Sequence, residues 1–117
     1  MVDYAHLEVE RHGDIRLARL LHPKLTGDLP AKVGEELSSL AAPSDCLKLL
    51  LNLSRVTQMS SEMFGKLIML NRQMMKKSGS LKLCDVSPEI RQILVDTRLD
   101  QVFDLYDTEA AGLAAFG

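Results

Sequence analysis

Between Cys46 and Lys77 the chain changes its hydrophobic period, and that change dictates the class of fold. Residues 46–53 are short, almost entirely apolar and preceded by the turn-forming Ala42-Pro43-Ser44-Asp45. A strand buried on both faces reads this way, because neither side calls for polar residues. From Ser61 to about Lys77 the apolar residues recur at helical spacing instead. At about 100° per residue, Met63, Phe64, Leu67, Ile68, Leu70, Asn71, Met74 and Met75 share one broad arc. Glu62, Gly65, Lys66, Arg72, Gln73 and Lys76 fall mostly opposite. A doubly buried strand followed by a one-sided helix is the unit of a parallel sheet covered by helices.

The flanking segments extend the pattern. Residues 7–11 and 15–20 alternate apolar and polar around His12-Gly13-Asp14, as a hairpin does. Pro23 and Thr26-Gly27-Asp28 mark a loop. A helix is predicted over 30–40, with Pro30 in its first turn and Val33, Leu37 and Leu40 on its inner face. Ser78-Gly79 stops the central helix, with Gly79 as the left-handed residue. A short strand follows at 81–85. Ser87-Pro88 starts a helix whose inner stripe is Ile90, Ile93 and Leu94. A strand at 102–106 and a helix at 108–116, capped by Asp107 or Thr108, complete the order β-β-α-β-α-β-α-β-α. The expected fold is α/β: one domain over 1–117, with an N-terminal antiparallel hairpin, the other strands largely parallel, and about four helices covering the sheet.

Length and composition limit what such a domain does. The chain has 117 residues, 46% hydrophobic and 26% charged, enough for one core and no more. No uninterrupted apolar run, Leu49–Leu51 or the slightly longer Leu67–Leu70 included, exceeds four residues, so direct membrane insertion is not expected. The segment from Met1 to Arg11 is acidic and alternating, unlike a secretory leader. Cys46 and Cys84 are far apart and form no CxxC pair, which suits a reduced, cytoplasmic setting.

The net charge of −2 opposes general nucleic-acid binding, but the charge is unevenly placed. Residues 52–82 sum to +5, residues 83–117 to −5 and residues 1–51 to −2. The basic block holds one aromatic residue, Phe64, on the buried arc, so it lacks a stacking platform for bases. Such blocks suit an oriented protein partner if they occupy different faces, or are simply solvated helix faces.

Little in the chain supports catalysis. His6, His12 and His22 show no metal-binding spacing, and no phosphate-cradling glycine loop or nucleophile elbow occurs. No resident metal or cofactor is implied, and the protein is not expected to be an enzyme. Cys84 ends a buried strand and reads as a core thiol. One segment stands out by position: Val56-Thr57-Gln58-Met59-Ser60-Ser61-Glu62 joins the carboxyl end of a buried strand to a helix start. Function gathers at that place in open α/β sheets. A serine there either caps the helix or offers a hydroxyl for phosphorylation, since a helix N-terminus favours anions.

The stretch from Leu49 through Leu53-Ser54 and Met59-Ser60-Ser61 to Leu67 resembles the signature of STAS domains, shared by sulphate transporters and bacterial anti-sigma factor antagonists. In that signature an apolar strand ends in Asp-hydrophobic-Ser, and a hydrophobic-Asp-Ser-[Ser/Ala]-Gly run leads into a helix. Gly79-Ser80-Leu81-Lys82-Leu83-Cys84-Asp85-Val86-Ser87-Pro88 is similar to the next strand and helix start, and Arg98-Leu99-Asp100-Gln101-Val102-Phe103 to the approach to the last strand. Four positions depart from the pattern: Asn52 and Ser60 stand where Asp is usual, Glu62 where Ser or Ala is, and Met63 where Gly is.

The resemblance implies a free-standing anti-sigma factor antagonist. Such a protein binds an anti-sigma factor serine kinase of ATPase fold while unphosphorylated, is released by phosphorylation, and is reset by a serine phosphatase. Ser61 takes the phosphorylated position, with Ser60 as the alternative. Ser60, Glu62, Gly65, Lys66, Met69 and Arg72 would then meet the partner. Met69 lies far from the centre of the apolar arc and has no place in the core. The other reading, within the same family, is a domain that binds a small anion or nucleotide at Ser60–Ser61, or one that serves a membrane transport complex as an accessory subunit.

Overall fold

The computed structural model describes residues 4–116. Two strands, β1 (Leu7–His12) and β2 (Ile15–Leu20), form the expected hairpin, turning through Gly13 at a positive φ of 65°. They are followed by β3 (Lys24–Leu25), α1 (Leu29–Ala41), β4 (Lys48–Asn52), β5 (Gln58–Met59), α2 (Ser61–Met75) and β6 (Ser80–Cys84). The chain ends with α3 (Pro88–Asp96), a 3-10 turn at Leu99–Gln101, β7 (Asp104–Tyr106) and α4 (Glu109–Ala115). The main sheet runs β1-β2-β4-β6-β7; only β1 and β2 are antiparallel neighbours. The mixed sheet and four helices match the sequence expectation.

The central strand explains how the layers form. Leu49, Leu51 and Leu53 join a core with Val33 and Leu37 of α1, Met63, Leu67 and Met74 of α2, and Ile90 and Leu94 of α3. Leu50 belongs to a second cluster with Leu17 and Cys84, covered by Leu113 and Phe116 at the α4 end of the chain. Burial on both faces therefore needs an uninterrupted apolar run, and β4 has one. Gly112 lets α4 approach closely: a Cβ there would sit 2.8 Å from Leu50 Cδ1.

Several local expectations change. β4 starts at Lys48 because Cys46 closes a turn onto the Pro43 carbonyl at 3.0 Å. The pair β3–β5 was not foreseen; a two-residue parallel ladder carries no readable period. Ile68 and Met75 sit at the edge of the α2 arc, and Met75, in the last turn, is 64% exposed rather than buried. α2 ends at Met75, before Lys77. The left-handed residue after it is Ser78, with φ 60°, not Gly79. Ile93 of α3 is exposed, while Ile90 and Leu94 are buried. The last strand loses Val102 and Phe103 because Arg98, at φ 62°, redirects the chain into the 3-10 turn.

Candidate switch site and helix face

The segment from β4 to α2 is held at both of its sides. At the end of β4, Asn52 is only 6% exposed. Its Oδ1 accepts the Ser54 N–H at 2.7 Å, and its Nδ2 donates to Asp85 Oδ2 at 3.3 Å and to Glu109 Oε2. Glu109 in turn accepts from Arg19 Nε at 2.7 Å and Nη2 at 3.0 Å. That guanidinium holds the Glu109 carboxyl below the usual carboxylate range. Arg19 also donates to Glu8 at 2.8 Å and to Glu10. Beyond β4, the Pro23 carbonyl accepts the Thr57 and Gln58 N–H groups at 2.7 and 3.1 Å, and the Leu25 carbonyl accepts the Ser60 N–H at 3.1 Å.

The two serines are distinct. Ser60 has an extended backbone (φ −77°, ψ 164°) and is the N-cap of α2; its Oγ accepts the Met63 N–H at 3.4 Å. It is half-buried. Ser61 is the first helical residue, is exposed, and its hydroxyl makes no hydrogen bond among the described residues. Glu62 is exposed in the first turn, where a carboxylate complements the helix dipole. The choice between capping and availability, open in the sequence, is thus divided between neighbours.

Of the remaining face residues, Gly65 and Lys66 are half-buried, Arg72 is exposed and Met69 is 62% exposed. Lys66 lies flat across α1: a Cβ on Gly34 would fall 2.8 Å from Lys66 Cδ. The sequence reading missed α1 as part of this surface. A glycine in a helix interior, which costs about 1 kcal/mol relative to Ala, was the available signal of a close approach.

The chemistry elsewhere is quiet. Among the described residues, no group of three or more His, Cys, Asp and Glu side chains is placed to hold a metal. His6 Nδ1 and His22 Nε2 share a hydrogen bond of 2.8 Å, which ties the start of the hairpin to the loop after it. Cys46 and Cys84 are free and buried. Burial, then the neighbouring Asp85, raise the Cys84 pKa, so its thiol stays protonated. No described helix is long and apolar enough to cross a membrane.

Against known proteins, the family model for the STAS domain matches residues 7–112. No curated protein matches. Among solved structures, a candidate anti-sigma factor antagonist of Thermotoga maritima superposes with a TM-score of 0.84 at 18% identity, over 95% of this chain and 94% of its own. An anti-sigma-factor antagonist (STAS) domain protein of Planctomyces limnophilus gives 0.84 at 19%, over 95% and 97%. The Bacillus cell fate determinant SpoIIAA in its phosphorylated form gives 0.72 at 17%, over 95% and 99%. Identities this low speak for the fold alone, whereas the family match spans most of the chain. The chain belongs to the STAS domain family.

Proposed function

We propose that the protein is an anti-sigma factor antagonist whose binding is switched at Ser61. STAS domains generally act as non-catalytic regulators, and the solved neighbours include antagonists of this kind. In this reading the unphosphorylated protein binds an anti-sigma factor serine kinase of ATPase fold in the cytoplasm and so frees a sigma factor. Phosphorylation ends binding, and a serine phosphatase restores it. The protein is a substrate and a competitor and carries out no chemistry itself.

The observation that carries the reading is the division of labour at the helix start. Ser60 is committed to the cap, while the adjacent Ser61 hydroxyl is exposed and unbonded. Phosphorylating Ser61 would add about −1.5 to −2 charges without removing the cap. A partner seated over Ser60, Glu62, Gly65, Lys66, Met69 and Arg72 would meet that dianion at its own surface, where desolvation and repulsion oppose binding. Glu62 adds to the repulsion and does not replace the switch, since it lies beside Ser61 in either state.

The test is to incubate the protein with its cognate kinase and ATP and to locate the phosphate by mass spectrometry. Label on Ser61 is expected; label on Ser60, or on neither serine, overturns the assignment. Ser61→Ala should bind the kinase constitutively, and Ser61→Asp should weaken binding at least tenfold.

A further inference from the structure

Beside α2, and apart from Ser61, lies a groove of about 540 Å³ that is open along one side. Ala31, Gly34 and Ser38 of α1 form one wall; Lys66, Met69 and Gln73 of α2 form the other. Its far end is closed by two hydrogen bonds: Ser38 Oγ to Gln73 Oε1 at 3.1 Å, and Gln73 Nε2 to the Ser38 carbonyl at 3.0 Å. Small side chains on α1 leave the trough shallow, and Leu70 at its base is sealed into the core. Met69 remains as an apolar, flexible side chain available to an occupant.

The charge around this groove is one-sided. Lys66, Arg72 and Lys76 line it, and none of them makes a salt bridge among the described residues. Glu35 is the only lining carboxylate, so the rim carries a net +2. A neighbouring lysine of this block, Lys77 in the turn after α2, behaves differently: it donates to the carbonyls of Ala41 and Pro43. The unpaired cations are therefore concentrated beside the exposed methionine.

We propose that the groove receives an acidic, amphipathic helix of a partner protein, with one large apolar side chain seated on Met69 and carboxylates set against Lys66, Arg72 and Lys76. Charge complementarity selects the occupant. A neutral or basic segment would leave the rim's repulsion in place, whereas carboxylates relieve it. An amphipathic helix presents its anchor and flanking charges at three- and four-residue intervals, the same spacing by which Lys66, Met69, Arg72 and Lys76 follow one another along α2. The inference rests on the proposed function in taking this face of α2 as the partner-facing one; the α1 wall and the acidic character of the partner go beyond it.

The experiment is a displayed library of short helical peptides with randomised surface positions, selected against the intact protein. Winning peptides are then used as labelled probes in fluorescence anisotropy and chemical-shift mapping. The expected winners are rich in Asp and Glu, carry one large apolar residue, and shift the amides of Gly34, Ser38 and Met69. The double variant Lys66→Glu/Arg72→Glu should weaken their binding at least tenfold, and so should raising the salt from about 50 to about 500 mM. Met69→Lys should weaken binding about tenfold while leaving the melting temperature unchanged.

Neutral or basic winners, winners that map elsewhere, an absence of winners, or charge reversals without effect would overturn the inference. So would self-association of the protein through this groove, detected by sedimentation and abolished by the same reversals. Ser61→Asp should change peptide affinity less than twofold, because Ser61 does not line the groove. A labelled Ser61 with no acidic binder would therefore sink the groove and spare the switch, and the reverse result would do the opposite.

Discussion

Asn52 shows how one atom suits a buried site. Its Nδ2 has hydrogens to give to both Asp85 and Glu109, while its Oδ1 takes the Ser54 N–H. An aspartate at the same place would keep the acceptor and lose the donor, and it would put a third carboxylate against two others. Asn52→Asp should therefore cost about 1–3 kcal/mol at neutral pH, read from the urea midpoint. The loss should shrink on acidification, as the introduced carboxyl takes up a proton and regains a donor. The sequence displayed Asn52 as a departure from the STAS pattern. It did not reveal the compensation, because Glu109 lies 57 residues away and no local period connects the two. The serines divided differently: their place at a helix start was legible, but which of them caps depends on backbone angles that composition does not encode.

At the scale of elements, the strength of the period decided what could be read. β4 and α2 have long, one-sided or two-sided apolar patterns and emerged from the sequence nearly intact. β3 and β5 have two residues each and emerged not at all. The end of α2 is instructive, because Ser78-Gly79 was assigned correctly as a stop with the two roles exchanged. Ser78 takes the left-handed conformation. Gly79 is needed for space: a Cβ there would lie 3.1 Å from the Leu47 carbonyl oxygen and 3.2 Å from that of Met74. Ser78→Gly should thus raise stability by roughly 0.5–1 kcal/mol, by relieving the left-handed penalty. Gly79→Ala should lower it by about 1–2 kcal/mol, because backbone carbonyls cannot move aside as side chains do. Chemical denaturation of the two variants against the parent checks both signs.

For the molecule as a whole, the uneven charge read from the sequence does not become a simple positive face. Lys77 is spent on the end of α1, Lys82 sits between the Tyr106 and Phe116 rings with Asp104 beside it, and Arg55 is exposed away from the groove, which keeps the other three cations of the block. No sub-micromolar binding to single- or double-stranded DNA is expected at physiological salt, as gel-shift or anisotropy titration would check. The contact between Arg19 and Glu109 joins residues 90 positions apart. Because the folded Glu109 carboxyl is held below its ordinary value of 4.5, its contribution to stability is complete above that value and is lost as pH falls through the lower, folded one. The stability gap between the parent and Arg19→Met should accordingly be widest near neutrality and narrow as the pH is taken below 4.5, in urea titrations run across that range.

The same long-range contact sets an order of events during synthesis. A ribosome delivers β2 and β4 well before Glu109, so Arg19 and Asn52 wait for a shared carboxylate that arrives after every strand of the sheet. Until then Leu17, Leu50 and Cys84 lack the cover of Leu113 and Phe116. A nascent chain halted at Asp107 should remain loosely packed, bind a hydrophobic dye and unfold without a sharp transition, while the chain translated through Phe116 should unfold in one step. The helix that follows β7 thus closes the second face of the sheet, and a copy terminated before it would carry its own mark for proteolysis.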